Sequence, residues 1–333
     1  MDEVVYHRLS LFSAFINTLY YWRLALLTIF RRTFSSYPYR AVLAIIWLIL
    51  IFSVPNSFQI ISDYIGFLFV GIMGAIFANS TGAGGGVVFV PFFNQIDMQN
   101  GAIIATSFAI QCCGMTAGAI TWHHYRQSLF VDNQASNRKT TGESDQWLYV
   151  NKGLLITIPF SILGILTAQF ALSEYTQQMQ TSLHVVFGVF SILLAVAIYG
   201  SIPLLYRQKS ATSLLPIDML VLGIIAFFGG IITAWLSVGV GELVAVYLIL
   251  RGFNVTSAIA LAVILSAFTV WSAIFNHLFI TQAIYWNILL FAGAGAIIGG
   301  VIAKRVVLYF SVVKLKLFFA TWVLIMGTAG LIT

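Results

Sequence analysis

The stretch STGAGGGVVFVP, residues 80–91, sets two hydroxyls, four glycines within five positions and a proline inside a chain otherwise rich in Phe, Ile, Leu and Val. Each glycine costs a helix roughly 1 kcal/mol relative to alanine, so the run predicts a break in helical structure. A break frees backbone N–H groups. Glycine lets a ligand approach them closely, and a helix restarting near Val87 aims its positive end at the same point. Ser80, Thr81, Gly82, Gly84, Gly85 and Gly86 therefore make a candidate anion cradle. The competing reading is close backbone packing by small residues, a common use of glycine in membranes.

A related spacing recurs further along the chain. Sliding the sequence by 157 positions lays SVGVGELVAVYLIL over STGAGGGVVFVPFF and pairs Ser80 with Ser237, Gly82 with Gly239 and Gly84 with Gly241. Glu242 then stands where the first motif has Gly85. A carboxylate inside an apolar run calls for a proton, a cation or hydrogen-bond donors, and when charged it repels an anion. That conflict suggests a coupling role for Glu242, in which protonation admits the anion and proton release helps expel it. A carboxylate satisfied by hairpin amides, or one serving sodium or a cationic substrate, stays open. The apolar run after the first motif carries Thr106, Ser107 and Gln111, the last two one helical turn apart. Its mate carries Ser266, Thr269 and Asn276. These are candidate substrate donors, or hydroxyls bonded back to their own helix.

Such groups need a low-dielectric frame, and composition supplies one. Of 333 residues 60% are hydrophobic and 8% charged, against roughly a quarter charged in soluble domains. Runs over 41–54, 154–171, 183–199, 217–236, 255–275 and 284–303 approach or exceed the length that crosses ~30 Å of hydrocarbon as a helix. The chain reads as a polytopic membrane protein with residues 41–61 as a retained anchor, and no cleavable signal peptide is expected.

The net charge of +6 does not point to nucleic acid, because the cations are sorted by segment. All sixteen fall in the N-terminal segment, around 126–152, at Arg207 and Lys209, at Arg251, and at 304–316. The connections 56–63, 95–100, 172–181 and 277–283 hold none. The positive-inside rule makes the first set cytoplasmic and the second external. Threading the chain through those sides forces 64–95 and 217–250 to return to the side they left.

The expected fold is an all-α polytopic membrane protein of two inverted repeats. Each repeat is a re-entrant, broken helical hairpin plus three transmembrane helices, a common plan of secondary transporters whose interrupted segments meet near the midplane. The segments are a cytoplasmic or interfacial piece 1–40, the extra helix 41–61, repeat 1 over 62–206 and repeat 2 over 207–333. The N-terminus is expected in the cytoplasm.

The motif GAGGGVVFVP, followed by a helix with the small-residue run AIIATSF, resembles the TauE/SafE sulfite exporter family over about 64–332. The second motif departs from the pattern, with Glu242 for a glycine and Leu248 where the proline would stand. The resemblance implies a transporter of sulfite, a sulfonate or a related small anion across the cytoplasmic membrane. On this reading the substrate-binding residues are Ser80, Thr81, Gly82, Gly84, Gly85, Gly86, Thr106, Ser107, Gln111, Ser237, Gly239, Gly241 and Ser266, with Glu242 for coupling. An anion channel, or a cation-coupled carrier of another small solute, is the alternative. The partners are the anion and the lipid bilayer, with no nucleic acid; a homo-oligomer is compatible with the sequence.

No nucleophile with a base, and no cluster of His and acidic ligands, marks an intramembrane enzyme or a resident metal, so neither cofactor nor catalytic residue is assigned. Cys112 and Cys113, adjacent in an apolar run, read as small packing residues. His123, His124 and His277 read as interface anchors beside aromatic rings, and His184 as a surface residue. Residues 9–32 suit a helix lying in the interface, and 126–147 a polar, mobile connector.

Overall fold

The computed structural model describes residues 38–135, 147–203, 211 and 213–332. Every element among them is helical. The N-terminal segment read as interfacial, most of it within 1–37, and the centre of the polar connector, 136–146, lie outside the described residues.

The chain divides into two units, Met1–Ile61 and Ser62–Thr333. The first holds α1, Pro38–Ser53, whose Leu43, Ile46, Ile49 and Leu50 are exposed. A single helix over 41–61 was expected, but the chain turns at 54–56, where Asn56 takes a left-handed φ of 58°. Pro55 explains the turn: it disfavours helix at the residue before it and cannot donate to the preceding turn.

A new helix, α2, runs Ser57–Thr81. After a break, α3 spans Gly86–Gln95 and α4 spans Asn100–Ala135. Then come α5 (Tyr149–Leu166), a π-helical turn at Thr167–Ala171, α6 (Ser173–Thr181) and α7 (Leu183–Ser201). The second half has α8 (Pro216–Leu236), a break, α9 (Val240–Leu250) and α10 (Val255–Asn276). A π-turn at His277–Thr281, α11 (Trp286–Tyr309) and α12 (Val312–Ile332) complete it. The order of broken helix, short helix and long helix thus occurs twice.

Six helical stretches among the described residues are long and apolar enough to cross a membrane: Ser57–Thr81, Asn100–Phe130, Tyr149–Ala171, Pro216–Leu236, Val255–Thr281 and Trp286–Tyr309. The chain is a polytopic membrane protein. Large apolar side chains such as Leu155, Leu193 and Phe279 point outward, as they do where lipid is the solvent.

Three boundaries differ from expectation. The first arm of the first hairpin has 25 residues instead of about 16, because the Asn56 turn lets helix begin at Ser57. At ~1.5 Å per residue it is as long as a full crossing. Helix α4 continues to Ala135, through the start of the stretch read as a mobile connector. The connection 172–181, expected to be external, contains the short helix α6, with Glu174 in its first turn, where a carboxylate complements the helix dipole.

The packing of Ser62–Thr333 is reciprocal. Helix α5 lies against α8, and α11 against α2 and α4. At Gly230 a Cβ would stand 2.3 Å from Ser161 O, and at Gly295 one would stand 2.1 Å from Leu68 O. Each broken helix therefore touches the other half backbone to backbone, the contact small residues allow in lipid. The long helices α4 and α10 run through the centre and hold the most deeply buried residues, among them Ile103, Phe108, Ile110, Leu261 and Leu265.

Candidate functional site

The two breaks meet each other. Break 1 is Gly82 to Gly85 and break 2 is Ser237 to Gly239, and the pair matched in sequence, Gly82 and Gly239, both take positive φ, 80° and 144°. Only glycine adopts these angles without strain. The approach is tight in both directions. A Cβ at Gly86 would stand 2.3 Å from Ser237 O, and one at Gly241 would stand 2.2 Å from Gly82 O. Each returning helix thus starts against a carbonyl of the opposite break, and any side chain at either position would part the tips.

The freed amides are held by side chains of the same hairpin, of the other half and of the central helix. Gly84 N donates to Glu242 Oε1 at 2.8 Å, and Gly239 N donates to Glu242 Oε2 at 2.9 Å. Gly85 N donates to Gln111 Oε1 at 2.8 Å. The Gln111 amide then donates to Ser237 Oγ at 2.7 Å and lies within reach of Ser237 O and Ser107 Oγ. Ser237 Oγ donates to Ser107 Oγ at 2.9 Å. Val240 N, at the start of α9, donates to Thr233 Oγ1 at 3.0 Å. Ser237 accepts a left-handed φ of 60° to make these bonds, and a non-glycine residue held there stores strain where breaks of this kind do their work.

The cluster is dry. Glu242 is 2% exposed, Gln111 2%, Ser237 0% and Ser107 0%. Beside it lies a void with room for one water, about 10 Å³, lined by Gly84, Gln111, Thr233, Glu242, Ser266 and Thr269 among others. Ser266 Oγ, 3% exposed, has no hydrogen-bond partner. Its neighbour Thr269 is already engaged with Leu265 O and Ser161 Oγ. Glu242 thus caps its own helix through Gly239 N and reaches across to Gly84 N, and the unpaired Ser266 hydroxyl lines the same void.

The family model of the sulfite exporter TauE/SafE matches residues 66–329, which contain both breaks and every residue of this cluster. The chain belongs to the TauE/SafE family. Neither a curated protein nor a solved structure gives a match. The family is one of membrane transporters, and no catalytic step is assigned to this TauE/SafE protein.

The structure brings together Gly82, Gly84, Gly85, Gly86, Ser107, Gln111, Ser237, Gly239, Gly241, Glu242 and Ser266. Ser80 and Thr106 point elsewhere, and Thr81 does so in part. Ser80 and Thr81 are still helical and donate to Ile76 O and Phe77 O, one turn back, while Thr81 Oγ1 also accepts from Ala83 N of break 1 at 3.2 Å. Thr106 accepts from Tyr285 N at 3.1 Å and joins α4 to the segment before α11. Their hydroxyls are satisfied within the frame, the outcome usual for Ser and Thr in helices.

Two residues escaped sequence reasoning. Thr233 caps the restart of α9, and its signal was a hydroxyl one turn before Ser237. Asn79 is fully buried and donates to Ala75 O and to Gly114 O of α4; an amide inside an apolar run was the available cue. Arg251 pairs with Asp218 at 2.6 Å, not with Glu242. That pair, joined by Tyr247 Oη, ties the base of the second hairpin.

The remaining candidates sort by burial. His123 and His124 are exposed, and His123 contacts Gln127. His277 departs from the interface reading: it is 4% exposed and stacks on Phe108 with ring centroids 5.5 Å apart. The π-turn that begins there rotates the ring inward toward α4. The side chain of His184 lies outside the described residues. Cys112 donates to Val270 O at 3.6 Å and packs within the core.

Proposed function

We propose that this protein is a secondary transporter that exports a small anion such as sulfite, a sulfonate or a related organic anion through the site between its two breaks, coupled to protons through Glu242. The observation that carries the reading is the convergence of amides from both breaks on one buried carboxylate. Backbone N–H groups at helix starts inside a membrane are an anion's natural partners, and here two independent chain reversals supply them to a single point. Gln111, Ser107, Ser237 and Ser266 add donors of the kind that orient a tetrahedral or pyramidal oxyanion.

The segregation of Lys and Arg supports an N-terminus in the cytoplasm, two halves of opposite orientation, and residence in the cytoplasmic membrane. Alternating access would then rock one hairpin against the other about the tips.

Purified protein in liposomes loaded with sulfite decides the matter. Efflux accelerated when the lumen is more acidic than the bath, and lost in Gln111→Leu, is the expected result. Efflux that ignores the pH gradient but requires sodium would overturn proton coupling, and no efflux of sulfite or of any sulfonate would overturn the reading as a whole.

A further inference from the structure

We propose that the Glu242 carboxylate is a tethered competitor of the transported anion, sitting on the N–H groups of Gly84 and Gly239 that the anion itself must use. This rests on the transporter reading and specifies how its site is opened. The carboxylate has the geometry of a bound oxyanion: one oxygen faces each break, at 2.8 and 2.9 Å. A second anion cannot enter, because the same donors would have to serve two like charges within a few ångströms in a dry site.

Neutralising the carboxylate removes both obstacles. One proton, taken from water on the side of entry, adds to a Glu242 oxygen, and the amides of Gly84 and Gly239 pass to the oxygens of the incoming anion. The displaced carboxyl needs an acceptor for its new O–H. Ser266 Oγ, unpartnered, buried and lining the void next to Glu242, provides it. Release reverses the exchange: the proton leaves, and the returning carboxylate expels the anion from the amides. Anion and proton therefore occupy the site together and leave together, one for one.

No other charged group faces Glu242 among the described residues. Break 1 presents Gly84, α4 presents Gln111, α8 presents Thr233, and α10 presents Ser266 and Thr269. The titratable groups on those elements point elsewhere. Cys112 and Cys113 directly follow Gln111 on α4 and so face away from it, with the Cys112 thiol on Val270 O. Asp218 and Arg251 are paired at the hairpin base, with Tyr247 on Asp218. His277 stacks on Phe108 at the far end of α10, while His123 and His124 are exposed near the end of α4.

The test uses the full-length protein in detergent and methanesulfonate, a monoanion whose own charge does not change between about pH 5 and about pH 8. Binding by the wild type should weaken by about tenfold per pH unit above the midpoint of Glu242, and each anion bound should take up one proton from a weakly buffered solution. In Glu242→Gln the affinity should be flat with pH and at least equal to the wild type at low pH, because a neutral amide cannot hold both breaks. Proton uptake in the wild type decides the matter even where the variant fails to fold. Wild-type binding that is flat with pH and takes up no proton overturns the competitor while leaving the anion site standing. If neither methanesulfonate nor sulfite binds to either protein at any pH, the transporter reading falls and the competitor falls with it.

Discussion

Substituting Gly86 by alanine tests the contact between the tips with a single methyl group. A Cβ there would stand 2.3 Å from Ser237 O, and contacts under 3.0 Å are essentially never observed, so the breaks must separate by at least about 0.7 Å. The neighbour is backbone on a strained residue and cannot rotate away. That displacement carries the 2.8 Å bond from Gly84 N to Glu242 and the 2.7 Å bond from Gln111 to Ser237 past the ~3.2 Å of an ordinary hydrogen bond. Losing a bond to a carboxylate costs about 2 kcal/mol and a neutral one about 1 kcal/mol, which sums to about 3 kcal/mol. Thermal unfolding of the purified protein should fall by on the order of 5 °C, and sulfite efflux should drop sharply. Gly66→Ala is the matched control, since nothing lies within 4 Å of a Cβ there; its unfolding temperature should hold or rise slightly. A Gly86→Ala protein that melts and transports like the wild type would refute the packing of the two breaks.

Gly85→Leu should insert normally yet transport nothing, because a Cβ at that position would meet the Phe89 ring at 2.6 Å and Gln111 Cγ at 2.9 Å, pushing the Gln111 amide off the breaks; wild-type efflux from proteoliposomes would contradict this. Arg251→Ala should destabilise the second hairpin by about 2 kcal/mol, below the figure for a fully buried pair because the Arg251 side chain is 40% exposed, while leaving Asp218 buried without its partner. Arg251→Lys should recover only part of that loss, since the two-pronged contact is gone, and equal melting of all three proteins would count against the clasp. With Cys112 and Cys113 replaced, a cysteine at Ser173 should react with an impermeant maleimide from outside intact cells and one at Ser128 should not; the reverse pattern would invert the proposed topology.

Membrane character, the two breaks and the matched pair Gly82 and Gly239 were legible in the sequence for physical reasons. Hydrocarbon thickness sets the length of apolar runs, and positive φ selects glycine. The hydrogen-bond destinations of Ser80, Thr81 and Thr106 were not legible. A hydroxyl inside a helix has its own backbone as a permanent competitor, and which partner wins depends on a residue's phase relative to the break, off by a few positions at Ser80 and Thr81. The inward turn of His277 likewise depends on a π-turn, one extra residue in a helix that local sequence does not announce.

The glycine run by itself determined that the chain must open near residue 82 and that bare amides would need an acceptor. Glu242 by itself declared that a carboxylate would be buried somewhere in the second motif. That these two statements answer each other was decided by the tertiary structure alone. Gly84 and Glu242 are 158 residues apart, and no local pattern encodes a bond at that separation. The bond arises because α4 and α10 hold the two hairpins tip to tip, and because backbone at Gly86 and Gly241 is free of side chains where the tips cross. The sequence thus specified an unmet donor and an unmet acceptor, and packing of the central helices brought them together.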